Sequence, residues 1–107
     1  MRRTFSLILA ASLAAAAPAT APTENPTVEI QNLSFRPDVI RIRRGQTVTW
    51  INRDDFLHTA TADDESFDTR LIREGGRSEV RFEEAGTFRY HCVPHPFMKA
   101  TVIVEEH

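Results

Sequence analysis

The sequence predicts an all-β sandwich built as one small domain. Apolar and polar residues alternate in short runs, turn-forming clusters punctuate those runs, and no stretch keeps a helical period for long. Taken in chain order, Val28 and Ile30 open the pattern, Ile40 and Ile42 sit between arginines, and Val48 and Trp50 sit between threonines. A short run follows at residues 59–62, Val80 and Phe82 flank Arg81, and the last run occupies residues 101–104. In a strand over residues 87–92, Phe88, Tyr90 and Cys92 share one face and Thr87, Arg89 and His91 the other, so the aromatic face is the buried one. Turns are expected at Arg36-Pro37-Asp38, Arg44-Gly45-Gln46, Glu74-Gly75-Gly76 and Glu84-Ala85-Gly86. The chain of 107 residues is long enough for one domain and too short for two.

Residues 1–21 stand apart from this pattern. Arg2 and Arg3 give a positive start, residues 5–17 form an apolar run rich in Leu and Ala, and small residues with Pro follow. That is the layout of a secretory signal peptide, cleaved near Ala17 to Ala21, and the apolar run is too short for a membrane span. Residues 22–26 are then a flexible lead-in and residues 27–107 the domain. Loss of Arg2 and Arg3 takes the formal charge from −2 to −4. A mildly acidic domain lacks the basic stripe of a nucleic-acid binder, so no nucleic-acid partner is expected. The expectation is a periplasmic monomer with no membrane span after cleavage. The acidic run Asp63-Asp64-Glu65 reads as a solvated loop.

One cysteine permits no internal disulfide, and a lone thiol in an oxidising compartment calls for a partner. Cys92 points inward at the end of its strand and opens the loop Val93-Pro94-His95-Pro96-Phe97-Met98. The spacing Cys-x2-His-x2-Met lets one compact loop offer thiolate, imidazole and thioether. His58, just after the strand over residues 48–52, is the candidate second imidazole, whereas His91 is turned outward by strand alternation. Two histidines, a cysteine and a weak axial methionine suit redox copper, while zinc prefers four strong nitrogen or sulfur ligands. Met98 tips the choice to copper.

Trp50-Ile51-Asn52, His58, Gly86-Thr87-Phe88-Arg89-Tyr90-His91-Cys92 and the loop to Met98 resemble the copper-binding segments of amicyanin and its plastocyanin-like relatives. The resemblance runs from Thr27 to Glu105, and the two-residue gap before Met98 is the amicyanin-like version. It implies a cupredoxin-type Greek-key β-sandwich that carries electrons on one type 1 copper held by His58, Cys92, His95 and Met98. Its implied partners are redox proteins, a dehydrogenase or a c-type cytochrome, docking near His95, Pro96 and Phe97. One departure concerns the residue after the first ligand. Amicyanin and plastocyanin place Asn there, tying the two ligand loops together, and this chain has Thr59, whose hydroxyl is the group available for that tie.

Rival functions fit less well. A copper oxidase or nitrite reductase needs a second cupredoxin domain and a His-Cys-His string, and here the string is His91-Cys92-Val93. A thiol hydrolase would leave Met98 without a role, and an immunoglobulin-like module lacks its first Cys. A copper carrier without electron transfer would use open arrays of Met or His, and Met98 is the one Met after residue 21. The chain is therefore expected not to be an enzyme.

Overall fold

The computed structural model describes residues 22–107, so the expected signal peptide lies outside the described residues. Eight strands follow one another, with no helix among the described residues: β1 (Thr27–Ile30), β2 (Phe35–Arg36), β3 (Val39–Arg43), β4 (Thr47–Asn52), β5 (Thr61–Ala62), β6 (Arg77–Arg81), β7 (Gly86–His91) and β8 (Lys99–Glu105). They form two four-stranded sheets, ordered β2-β1-β4-β6 and β3-β8-β7-β5, which pack as a sandwich. The chain crosses between the sheets at every connection from β2 to β7, bringing β1 parallel to β4 and β3 parallel to β8.

Alternation decides which side chains face inward. Val28, Ile30, Val48 and Trp50 from one sheet meet Ile40, Ile42, Tyr90, Val102 and Val104 from the other, all buried. Between the layers Trp50 Nε1–H donates to the Tyr90 hydroxyl at 3.1 Å, their rings meeting edge to face at 5.4 Å. Burial pushes the Tyr90 phenol above its usual pKa range, so it remains a neutral hydroxyl. Phe67 stacks on Trp50 at 5.7 Å and meets Phe82 at 5.1 Å, carrying the aromatic core to the open edge of the sandwich.

The expected runs appear as β1, β3, β4, β6, β7 and β8. Strand β6 ends at Arg81, yet Phe82 stays buried because its amide donates to the Gln46 carbonyl at 3.0 Å. Strand β5 forms at the end of the expected run over residues 59–62, whereas β2 has two residues, too few for alternation to register. Along the lead-in, Thr23 N–H donates to the Arg41 carbonyl at 2.8 Å and Glu24 pairs with Arg43 at 2.6 Å, so these residues lie against the free edge of β3.

Tyr90→Phe should lower stability by about 1–3 kcal/mol, because it strands a fully buried indole N–H. The fold should survive, since the ring packing is kept. Denaturant titration should show a lower midpoint at unchanged slope; an unchanged midpoint would mean the indole finds another acceptor.

Candidate metal centre

Asn52, the last residue of β4, organises the first half of the site. Its fully buried side chain donates from Nδ2 to the carbonyls of Phe56 and Ile72, both at 2.8 Å, and accepts from the Asp54 amide at 2.9 Å. Its main chain binds the turn before β6, with Gly75 N–H donating to the Asn52 carbonyl at 2.8 Å. Gly75 has φ of 76°, a left-handed conformation in which glycine has no steric cost. These bonds curl residues 53–57 over the end of the sandwich. His58 then exchanges backbone hydrogen bonds with Ile72, at 3.2 and 2.7 Å, and its imidazole is fully buried.

Asp54 fixes which imidazole nitrogen is available. His58 Nε2 lies 2.9 Å from Asp54 Oδ2, and a carboxylate only accepts, so Nε2 carries the proton and the lone pair sits on Nδ1. The same carboxylate accepts the amides of Asn32 at 2.7 Å and Leu33 at 2.9 Å. Those residues hold left-handed φ values of 54° and 56° in the tight turn between β1 and β2, a conformation disfavoured for Leu. Burial alone would raise the Asp54 pKa. The amides of Leu33 and Asn32, together with His58, outweigh it and hold the carboxyl below its usual range.

The second half of the site comes from the β7–β8 connection. Cys92 follows β7 directly and is fully buried. Its amide donates to the Met98 carbonyl at 3.1 Å, and the Met98 amide donates to the His95 carbonyl at 2.9 Å, so two backbone bonds close the loop. Met98 is buried where the loop rejoins β8.

Cys92 Sγ lies 3.5 Å from His58 Nδ1 and 3.6 Å from His95 Nδ1. Among the described residues these three donors gather within 4.8 Å of one another. Bonds of about 2.0 Å to nitrogen and about 2.3 Å to sulfur, opened by roughly 110–120°, set sulfur and nitrogen about 3.5–3.7 Å apart. The spacing therefore fits a single metal ion. Thr59 joins the halves: its amide donates to Cys92 Sγ at 3.4 Å, and its hydroxyl accepts the Val93 amide at 2.9 Å. The tie that Asn provides in the resembling proteins is made here by a threonine.

The two imidazoles differ in exposure. Their rings stand 4.9 Å apart, His58 wholly inside and His95 half-buried. Phe56 and Phe97 flank the His95 ring at 5.8 and 6.1 Å, and both are exposed, Phe97 by 66%. Leu57, Leu71 and Val93 are exposed as well. His91 is turned away from the cluster, as expected, and its Nδ1 meets Asp63 at 2.6 Å. Asp54 and Phe56 escaped the sequence reading. A carboxylate four residues before a candidate ligand was the available signal for Asp54; Phe56 offered none.

A family model described as copper binding proteins of the plastocyanin/azurin family matches residues 23–105. Amicyanin of Paracoccus denitrificans is 32% identical over 103 residues, covering 81% of this chain and 79% of that protein. Plastocyanin of Scenedesmus fuscus is 33% identical over 86 residues, covering 68% of this chain and 88% of that protein. A solved Cu(I) structure of an amicyanin variant superposes with a TM-score of 0.71 at 30% identity, covering 81% of this chain and 88% of that one.

Asp54→Ala should weaken metal affinity about 10–100-fold, through loss of the bond that orients His58. Folding stability should fall by about 1–3 kcal/mol as the Asn32 and Leu33 amides lose their acceptor. Because the folded carboxyl is depressed, its stabilisation is present above the ordinary carboxylate pKa of about 4 and fades as pH drops through the folded value. The variant should accordingly lose less stability on acidification than the parent. Competition titration with a chelator and denaturation across acid pH check both effects.

Proposed function

The chain belongs to the copper-binding proteins of the plastocyanin/azurin family, and from that premise we propose that it is an exported one-electron carrier. Its single type 1 copper would be held by His58, Cys92, His95 and Met98 and cycle between Cu(II) and Cu(I). The observation that carries this reading is the convergence of a buried thiol and two imidazole Nδ1 atoms within 4.8 Å at the sandwich end. Copper, when bound, supplies the one-electron couple. The residues supply everything else. His58 and Cys92 grip from inside the sandwich, where water is excluded, and Asp54 keeps the Nδ1 lone pair directed at the site. Pro94 and Pro96 restrict the loop through their fixed φ, which limits rearrangement of the donor atoms when an electron moves.

The half-exposed His95 provides the path to the surface. Its edge opens among Phe56, Pro96 and Phe97, an apolar rim suited to brief, small contacts with a redox protein such as a dehydrogenase or c-type cytochrome. Export is supported by the N-terminal charge and apolar run, with residues 1–21 removed, 22–26 leading in and 27–107 forming the periplasmic domain. No helix among the described residues is long and apolar enough to cross a membrane. The protein would act as a monomer and as a carrier, not as an enzyme, a reading supported by its likeness to amicyanin and plastocyanin.

Copper-loaded protein should show an intense visible band from thiolate-to-copper charge transfer and a type 1 electron-spin spectrum. Cys92→Ser should abolish the band and leave a folded domain; a variant that kept the colour would end the assignment.

Phe97→Glu should leave the spectrum nearly unchanged and slow bimolecular electron exchange about tenfold, equal to ~1.4 kcal/mol of lost contact free energy. Stopped-flow exchange between oxidised and reduced protein measures it, and an unaltered rate would place the electron port elsewhere.

A further inference from the structure

A chain of hydrogen bonds leads from the site to a surface carboxylate. Thr59 Oγ1 accepts the Val93 amide at 2.9 Å and lies 2.8 Å from Thr61 Oγ1, which donates to Asp68 Oδ1 at 3.0 Å. Proton counting fixes the direction of every link. A hydroxyl has one proton, and a carboxylate oxygen only accepts. The Thr61 proton is committed to Asp68, so Thr61 can only accept from Thr59. The Thr59 proton is thereby committed to Thr61, and the lone pairs of Thr59 face the Val93 amide. Asp68 itself is held in place, since Oδ1 also accepts the Arg70 amide at 2.8 Å and residue 68 pairs with Thr61 across an isolated β-bridge.

We propose that Asp68 is a positioning residue for the metal centre: acting through Thr61 and Thr59, it fixes the hydroxyl that ties Val93 and leaves Cys92 Sγ with the Thr59 amide as its N–H donor. The proposal rests on the copper reading above. Its chemical consequence is a limit on hydrogen bonding to the sulfur. While the relay is intact, the Val93 amide is engaged by Thr59, and the sulfur keeps the Thr59 amide as its donor. Each donor at a thiolate draws charge from the sulfur and favours the reduced metal. The relay therefore holds the potential down and the loop in place. Without it, the Thr59 proton is free to rotate, the Val93 tie competes with other geometries, and the Val93 amide next to Cys92 is released.

The test uses the copper-bound protein, with amide exchange of Val93 read by NMR in the Cu(I) form and the reduction potential read by voltammetry. Thr61→Val keeps the shape and the β-branching that a strand favours, and removes the hydroxyl. It should speed Val93 exchange about tenfold, as expected for one lost hydrogen bond, and raise the potential. Thr61→Ser should restore both. Asp68→Asn retains an oxygen acceptor and should leave Val93 exchange within about twofold of the parent, whereas Asp68→Ala should reproduce Thr61→Val and serves if that variant fails to fold. An unchanged Val93 rate in both Thr61→Val and Asp68→Ala overturns the proposal, and so does an accelerated rate that Thr61→Ser does not restore. A faster rate with an unmoved potential overturns the control of the sulfur. A chain that takes up no copper defeats the copper reading instead, so the two failures are distinguishable.

Discussion

The metal end of this protein depends on the buried carboxylate of Asp54. One side chain aims the His58 imidazole, caps a strained turn between β1 and β2, and is itself held by the Asn52 amide group through its backbone. Burying a carboxylate is unfavourable unless its lone pairs are satisfied, and here three N–H donors satisfy them. That concentration of partners couples the hairpin, the loop over residues 53–57 and the candidate ligand into one unit. A protein needs such coupling when a metal-binding nitrogen must stay fixed whether or not an electron has just moved.

The sandwich and the loop divide the work. Strand β7 delivers Cys92 inward because Tyr90 shares its face and is anchored to Trp50 across the core. The two closing bonds at Met98 then return the chain to β8 after a short excursion that exposes only one edge of the cluster. His58 is inaccessible and His95 is not, so geometry alone separates an inner imidazole, suited to holding, from an outer one, suited to contact. The aromatic rings beside His95 make the surface around its edge apolar.

Much of this was legible in the sequence. Period-2 alternation is enforced by burial of one sheet face, so β1, β3, β4, β7 and β8 announced themselves, and Cys-x2-His-x2-Met is readable because one loop supplies all three groups. His58 needed the resemblance, since its nearness to Cys92 is created by the β4–β6 connections and not by spacing along the chain. Strand β2 could not be read because a period needs more than one repeat. Asp54 was hidden for a different reason: its place four residues before His58 is a weak signal beside Asp55, and only the position of the β1–β2 turn makes one of the two a buried acceptor.

The departure at Thr59 shows how a short side chain can serve where a longer amide is usual in the resembling proteins. An asparagine side chain carries its own donor and acceptor, with their directions set by the amide plane. A threonine hydroxyl rotates, so its role depends on what claims its proton. Here Thr61 and Asp68 make that claim, and β-strand pairing at residues 61 and 68 keeps both within reach. The substitution is thus tolerable only in company. A Thr at position 59 without an acceptor beyond it would leave the hydroxyl free to serve Val93 or water in turn, and the loop would be tied by a bond with no fixed sense. Specificity at this centre accordingly extends past the donor atoms to a surface carboxylate that touches none of them.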